Sequence, residues 1–360
     1  MDSARWQTLQ ALFAQALQRP AAGREAFVAD ACGGDAELAG DLHQLLAADA
    51  QGAAGDAPLR DLLGQAAAGL LAQDRAALIG RRLGAWRIVA HIADGGMGAV
   101  YRAERADGRY AQGAALKLIN PALVGPGAAA RLAQERQILA RLQHPNIARL
   151  LDGGETDTGD RGLPWLAMEF VDGQAIDAWC AARALDTAAR LRLVMQVCAA
   201  VDHAHRHLVV HRDLKPSNVL VDADGVPHLL DFGIARLLEQ DMALTRSGER
   251  VLTPSHASPE QVAGAPVTTA TDVYALGVLL YELLLGRRPF DEHAGNPAAL
   301  ARAIVEQDAP RPSAVAAAAG QARLARELAG DLDNIVAMAL RKEPGRRYES
   351  AQALADSCGR

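Results

Sequence analysis

The most constraining feature of the chain is a polar octapeptide, His-Arg-Asp-Leu-Lys-Pro-Ser-Asn, at residues 211–218. A short segment of strand-turn-strand character follows it, and Asp-Phe-Gly then occupies residues 231–233. Fixed residue types at these spacings arise by chance about once in ten billion starting positions. A polar loop without function is therefore a poor explanation, and the octapeptide is expected to belong to a site.

A second feature is the glycine-rich segment at residues 92–101, which contains Gly95, Gly96 and Gly98 ahead of a Val-Tyr pair typical of a strand. A phosphate-binding Gly-x-Gly-x-x-Gly loop needs glycine at fixed places, because backbone N–H groups must approach phosphate without a Cβ in the way. Ala93 occupies the first of those places. Taken alone, the segment is better interpreted as an ordinary glycine-bearing turn.

Composition excludes several classes of protein. Half of the 360 residues are hydrophobic, which is enough for a large core and argues against disorder throughout. The formal net charge is -6, and the first 75 residues hold ten acidic but only five basic side chains. Because no basic patch is visible, nucleic acid is not expected as a partner. The four cysteines lie far apart and form no metal-ligand spacing, which indicates a reducing compartment.

No membrane or export segment is predicted. The N-terminus lacks a basic region followed by an apolar core, so a secretory signal is not supported. The most apolar segment, residues 275–286, is too short to span a bilayer and contains Glu282. We expect a cytoplasmic location, with membrane anchoring reserved for a longer form of the chain.

The first 79 residues are predicted to be mainly helical. Apolar residues recur at helical spacing within residues 6–17 and 38–46, residues 23–32 form a third short helix, and Gly-Gly-Asp at 33–35 starts the last one. We interpret residues 1–50 as a helical module with a regulatory or docking role, and residues 51–79 as a linker with a short helix at 59–71. A simple helical extension of the next domain is an equally good interpretation.

From residue 80 onward the pattern predicts an α+β domain. Short strands are expected at 85–92, 99–105, 114–119, 148–153 and 164–171, with a helix at 128–142 between them. Helices dominate afterwards, including 188–205, 270–285 and 332–340. A small sheet-rich lobe over about 80–170 and a larger helical lobe over about 171–356 are therefore expected.

The octapeptide and the Asp-Phe-Gly segment resemble the protein kinase family, and the chain looks like a bacterial eukaryotic-type (Hanks-type) serine/threonine kinase over about residues 80–356. The resemblance implies the two-lobed protein kinase fold, ATP and Mg²⁺ as cofactors, and phosphoryl transfer to Ser or Thr of protein substrates. It also implies activation by autophosphorylation, for which the chain would associate transiently with itself.

The resemblance assigns roles to the residues of both segments. It makes Asp213 the acceptor of the hydroxyl proton, places Lys215 beside the transferring phosphate, and makes Asn218 and Asp231 the Mg²⁺ ligands. Lysine two places after the aspartate resembles serine/threonine rather than tyrosine kinases. These residue types suit the reaction, because phosphoryl transfer needs positioned groups and neutralised negative charge.

Upstream, Ala-Ala-Leu-Lys at residues 114–117 resembles the family's Val-Ala-x-Lys strand. The resemblance makes Lys117 the cation for the α- and β-phosphates, with Glu135 as its partner on the helix of the small lobe. The glycine segment precedes this strand at the family's distance. A phosphate cradle over Ala93, Gly95, Gly96 and Gly98 thereby becomes the better interpretation.

Other positions resemble the adenine site and the docking and regulatory segments. The residues that match those enclosing adenine are Val100, Ala115, Met168 and Leu220, with backbone groups of Glu169 and Val171 reading its edge.

Residues 252–261 resemble the segment that docks substrate, although Leu252, His256, Ala257 and Ser258 depart from the pattern. Glu260 is expected to pair with Arg347, and Asp272 to anchor the catalytic loop. Candidate phosphorylation sites are Thr245, Ser247 and Thr253.

Two other functions stay open at this point. A pseudokinase scaffold would have lost Asp213, Asp231 or Lys117, and all three are present. A small-molecule phosphotransferase of the same fold would normally lack the docking segment and the Glu260–Arg347 pair, which this chain has.

Overall fold

The computed structural model describes residues 78–95, 98–119, 136–156, 164–232 and 254–360, together with fifteen positions between 12 and 43. The chain divides into two units, Met1–Arg81 and Arg82–Arg360. Among the described helices, none combines the length and the apolar character needed to cross a bilayer.

In the N-terminal unit, the described positions are mainly helical, including residues 24, 27–28, 30–31 and 38–40. Buried Ala16, Val28, Cys32, Leu38 and Leu42 form one apolar cluster. The carboxylate of Asp35 accepts a hydrogen bond of 3.0 Å from the N–H of Leu38, as a helix N-cap does. The module boundary at residue 50 stays a prediction, and the helix predicted at 59–71 lies outside the described residues.

The second unit begins with an antiparallel sheet of six strands. They are β1 (Arg82–Leu83), β2 (Trp86–Gly95), β3 (Gly98–Arg105), β4 (Gly113–Ile119), β5 (Leu150–Glu155) and β6 (Pro164–Glu169). Their spatial order is β1-β2-β3-β4-β6-β5. Each strand predicted from the sequence is present, and its ends differ by a few residues from the prediction.

The two faces of this sheet differ in burial. Alternate residues of a strand point to opposite faces, and cross-strand partners share a face. One face carries fully buried side chains such as Tyr101, Leu116 and Trp165. The other face carries Val100 and Lys117, which are cross-strand partners and are only partly buried. This second face is therefore the one available to a ligand.

A smaller antiparallel sheet follows in the order β7 (Gly173–Ala175), β8 (Val219–Asp222) and β9 (Pro227–Leu229), and a 3₁₀ turn at Pro216–Asn218 leads into β8. The segment after the small-lobe helix is tied to β9, because Asn146 O accepts from Leu229 N–H at 2.8 Å and Ala148 N–H donates to Leu229 O at 3.0 Å. These bonds join the large sheet to the region that carries the octapeptide.

Helices make up most of the remaining unit. They are α1 (Ile176–Ala182), α2 (Thr187–Arg206), α3 (Pro259–Ala263), α4 (Thr269–Leu285), α5 (Pro297–Glu306), α6 (Pro312–Ala318), α7 (Ala322–Leu328), α8 (Asp331–Ala339) and α9 (Ala351–Cys358). The core of this part is built around α2 and α4, and α4 is buried along nearly its whole length. The sheet-rich and helical parts together confirm the predicted α+β fold.

The end of the helix predicted at 128–142 is wrong by a few residues. Only its last part is described, and the helix there ends at residue 139. The N–H groups of Arg141 and Leu142 instead bond to carbonyls three residues earlier, at 3.1 and 3.0 Å. Such tightening ends a helix, and Pro145 disfavours helical geometry just beyond it.

The turn after α2 provides a stability prediction. Leu208 is 92% exposed and has a φ of 62°. Its N–H bonds to His205 O, and the N–H of Val209 bonds to Ala204 O. These are the bonds of a Schellman C-cap, whose left-handed position glycine occupies without strain. We expect Leu208→Gly to raise the free energy of unfolding by about 0.5–1 kcal/mol in urea titrations.

Ala184 offers a matched second position, since it has a φ of 47° in the same kind of cap after α1. Ala184→Gly should also stabilise, whereas Ala317→Gly on the exposed face of α6 should lower stability by about 1 kcal/mol. A loss of stability in Leu208→Gly would contradict the assignment of strain to this turn.

Candidate active site

Strand register gathers the upstream candidates on the partly buried face of the large sheet. Ala93 pairs with Val100, Val100 with Lys117, and Ala115 with Met168. Gly95 and Gly98 form the last pair of the β2–β3 ladder, and Gly98 has a φ of 138° that favours glycine. Gly96 lies outside the described residues. Ala93, Gly95 and Gly98 of the predicted cradle thus lie where β2 ends and β3 begins, on the strands beside Lys117.

Lys117 contacts the Asp-Phe-Gly segment directly. Its Nζ lies 2.8 Å from Oδ2 of Asp231, and both side chains are partly buried. Asp231 has a φ of 48°, a left-handed conformation that is uncommon outside glycine but that aspartate adopts more readily than most residues. Glu135, the predicted partner of Lys117, lies outside the described residues.

The octapeptide places three of its polar side chains in one cluster. Asn218 Nδ2 donates to the backbone O of Asp213 at 2.7 Å and to its Oδ2 at 3.1 Å. Lys215 Nζ lies 2.9 Å from the same Oδ2. The 3₁₀ turn that begins at Pro216 brings Asn218 back toward Asp213. One carboxylate oxygen therefore faces both a cation and an amide.

His211 links the octapeptide to the Asp-Phe-Gly segment. Its Nε2 lies 2.8 Å from Leu230 O, and its ring packs against Phe232 with centroids 4.9 Å apart. Burial lowers the pKa of His211 and outweighs the nearby carboxylates. A neutral ring protonated at Nε2 donates to Leu230 O and accepts from Asp213 N–H, which lies 3.3 Å from Nδ1.

Asp272 of α4 holds the backbone that precedes Asp213. Its carboxylate, which is fully buried, accepts from the N–H of His211 at 2.7 Å and from the N–H of Arg212 at 2.9 Å. His205 Nε2 lies 2.8 Å from it as well. Arg212 adopts a φ of 69°, so these bonds fix a backbone conformation that is otherwise disfavoured.

The candidate metal ligands have suitable chemistry. Since the amide nitrogen of Asn218 is bonded to Asp213, its Oδ1 is the atom left to face a metal, and Asp231 offers a carboxylate. Mg²⁺ prefers such oxygen ligands and usually takes only one or two carboxylates, with phosphate and water completing the shell. Within the described residues no group of three His, Cys, Asp or Glu side chains is gathered for a metal. A site with one amide oxygen and one carboxylate fits Mg²⁺ without such a group.

The candidate adenine residues come from both sheets. Leu220 lies in β8 and is partly buried, as are Ala115, Met168 and Val171. The N–H of Glu169 donates to Arg149 O at 2.8 Å, so this group is already occupied. The prediction that the backbone of Glu169 and Val171 reads the adenine edge therefore depends, at Glu169, on its carbonyl.

The predicted docking segment is anchored to the helical part. Arg347 donates from both terminal nitrogens to the carboxylate of Glu260 at 2.8 Å, forming the predicted pair. His256, which departs from the family pattern, lies 2.7 Å from Oε2 of Glu282 on α4. Gln261, which sequence reasoning did not single out, donates to Arg212 O at 2.8 Å. The Ser-x-x-Gln pattern at residues 258–261 predicts a capping box from the sequence alone. No local pattern predicts the bond from Gln261 to Arg212.

Several predicted residues cannot be placed. Thr245, Ser247 and Thr253 lie outside the described residues, as does Gly233. The structure does bring together Lys117, Asp213, Lys215, Asn218 and Asp231, through the His211–Phe232 contact and a bond of 2.8 Å from Leu230 N–H to Asn218 O.

Comparison with known proteins gives a consistent result. Residues 86–357 match the family described as protein kinase domain. The chain is 36% identical over 282 residues to serine/threonine-protein kinase Pkn1 of Myxococcus xanthus, covering 77% of this chain and 38% of that protein. It is 34% identical over 280 residues to serine/threonine-protein kinase PrkC of Bacillus subtilis, covering 77% and 40%. It thus spans about two-fifths of these relatives.

Solved structures show the same likeness. The crystal structure of the Mycobacterium tuberculosis PknI kinase domain matches with a TM-score of 0.59 at 28% identity. The match covers 78% of this chain and 97% of that one.

Proposed function

The chain belongs to the protein kinase family, and on that premise we propose that it transfers the γ-phosphate of ATP to Ser or Thr of protein substrates. The observation that carries the proposal is the cluster in which Asp213 meets Lys215 and Asn218 while Asp231 meets Lys117. Each family residue needed for the chemistry is present.

In the proposed reaction, Asp213 orients the substrate hydroxyl and accepts its proton as the oxygen attacks the γ-phosphorus. The bond from that phosphorus to the bridging oxygen breaks, and ADP leaves. Lys215, 2.9 Å from Asp213, neutralises charge on the phosphoryl group in transit. Lys117 binds the α- and β-phosphates. Asn218 and Asp231 would hold Mg²⁺, which when bound would supply further neutralisation of the negative charge on the phosphates.

The nucleotide would occupy the partly buried face of the large sheet. Val100, Ala115 and Met168 of the large sheet offer apolar contacts to the nucleotide, and Leu220 of β8 offers another. Ala93 occupies the first glycine position of the cradle, whereas Gly95 and Gly98 are glycines and form the last pair of β2 and β3. We propose that this cradle encloses the phosphates.

We also propose that phosphorylation at Thr245, Ser247 or Thr253 activates the chain, through transfer in trans between two copies. The support is the family likeness and the position of Arg212, a cation directly before Asp213. Phosphate adds negative charge and strong acceptors that an arginine can bind, which is a common way to order a loop.

The experiment incubates the full chain with labelled ATP, a generic protein substrate and Mg²⁺. We expect label on Ser or Thr of the substrate and on the chain itself, and loss of label when EDTA removes the metal. Mass spectrometry should find phosphate between residues 241 and 253, at a rate that rises with chain concentration. Nucleotide binding without transfer would favour the scaffold, and label only on small molecules would favour the other phosphotransferase.

A further inference from the structure

Gln261 makes hydrogen bonds with two separate parts of the helical region. It lies in the short helix α3, where its Oε1 accepts from the N–H of Ser258 at 3.0 Å and its own N–H donates to Ser258 Oγ at 3.3 Å. The same side chain donates from Nε2 to the carbonyl of Arg212 at 2.8 Å. Both ends of one amide are therefore engaged, one by the docking segment and the other by the octapeptide.

The carbonyl that Gln261 binds belongs to the peptide group that enters Asp213. Arg212 has a φ of 69°, which a residue with a side chain adopts only when it is held. Asp272 holds the N–H side of this residue at 2.9 Å, and Gln261 holds the carbonyl side. Asp272 thus holds the peptide group before Arg212, and Gln261 holds the peptide group between Arg212 and Asp213.

The position of Gln261 is set independently of the octapeptide. Its neighbour Glu260 is buried and receives two hydrogen bonds of 2.8 Å from Arg347 and one of 2.7 Å from Thr271. The placement of α3 is therefore held by hydrogen bonds that do not involve the octapeptide.

We infer that Gln261 is a positioning residue that couples the docking segment to the proton acceptor Asp213. The inference rests on the proposed kinase function and adds to it a residue that touches neither substrate nor nucleotide. When the docking segment is in place, the amide of Gln261 holds the Arg212 carbonyl and so aims Asp213. When that segment shifts, the hold is lost and phosphoryl transfer slows.

The test is Gln261→Glu in the full chain. Glutamate keeps the acceptor for Ser258 N–H and completes a Ser-x-x-Glu capping box. If Gln261 served only that capping box, the stability of the variant would be unchanged or higher. Glutamate removes the donor to Arg212 O and places an oxygen against that carbonyl instead. We expect kcat for the protein substrate to fall about 10- to 100-fold, with KM for ATP within about twofold and the Tm not lowered.

Controls separate this inference from the proposed function. Gln307→Glu adds the same charge at an exposed position after α5 and should retain full activity. Should Gln261→Glu fail to fold, Gln261→Met carries the test, since it also lacks the donor and adds no charge. Wild-type kcat in a folded Gln261 variant overturns the inference, whereas inactivity of the wild-type chain overturns the proposed function.

Discussion

Asp213→Asn is expected to reduce kcat for phosphoryl transfer by about 10²- to 10⁴-fold, which is the usual cost of removing a positioned base. In the structure, Oδ2 of Asp213 lies 2.9 Å from Lys215 Nζ and 3.1 Å from Asn218 Nδ2. Asparagine fills the same space and keeps one acceptor oxygen for these neighbours. It carries no charge and cannot accept the hydroxyl proton, so the chemistry is lost while the fold remains.

Steady-state phosphorylation of a protein substrate, with a thermal unfolding curve for each protein, measures this effect. Asp224→Asn is the matched control, because Asp224 is exposed in the turn between β8 and β9 and should show wild-type kcat. Full labelling by a folded Asp213→Asn variant would show that Asp213 is not the proton acceptor. In that case the cluster around it would need another role.

The resemblance to protein kinases assigned roles to Asp213, Lys215 and Asn218, and their closeness in sequence explains why they lie together in the structure. Asp213, Lys215 and Asn218 lie within six positions, so one tight loop and a 3₁₀ turn suffice to bring them together. The strands were predictable because alternation of apolar residues is a local pattern. The site face of the sheet follows from the register of those strands rather than from any single residue.

Contacts between distant residues could not be derived from pattern alone. The bond from Gln261 to Arg212 O spans 49 positions, and the contact of Lys117 with Asp231 spans 114. Nothing in the local sequence of either partner indicates the other, because each contact depends on how whole elements pack. Arg347 and Glu260 could be paired in advance only through resemblance to a family.

Arg347→Met is expected to lower the free energy of unfolding by about 3–5 kcal/mol, because it leaves a buried carboxylate without its partner. The guanidinium of Arg347 is fully buried and donates to Glu260 at 2.8 Å. It also donates to the carbonyls of Ala270, Arg341 and Lys342 at 2.7–2.9 Å. Methionine fills part of the space but satisfies none of these acceptors. Urea unfolding of both proteins measures the difference.

The pH dependence of that difference identifies its cause. Burial by itself raises the pKa of Glu260, but hydrogen bonds from Arg347 and Thr271 outweigh it and hold the pKa below its ordinary value. The pair therefore stabilises the wild-type chain above the ordinary pKa of about 4.3, and this stability is lost as the pH falls through the lowered folded-state value. The gap between wild type and Arg347→Met should accordingly narrow in acid, where Glu260 can be protonated.

A neighbouring arginine provides the control for the loss of one positive charge. Arg346 is exposed and its only described ion pair, with Glu343, is 4.0 Å long, so Arg346→Met should change stability by less than about 0.5 kcal/mol. If Arg347→Met were equally mild, the buried pair would contribute little to the fold. A large loss that stays constant from neutral to acid pH would instead point to the unsatisfied carbonyls, since these do not titrate, and would remove Glu260 from the explanation.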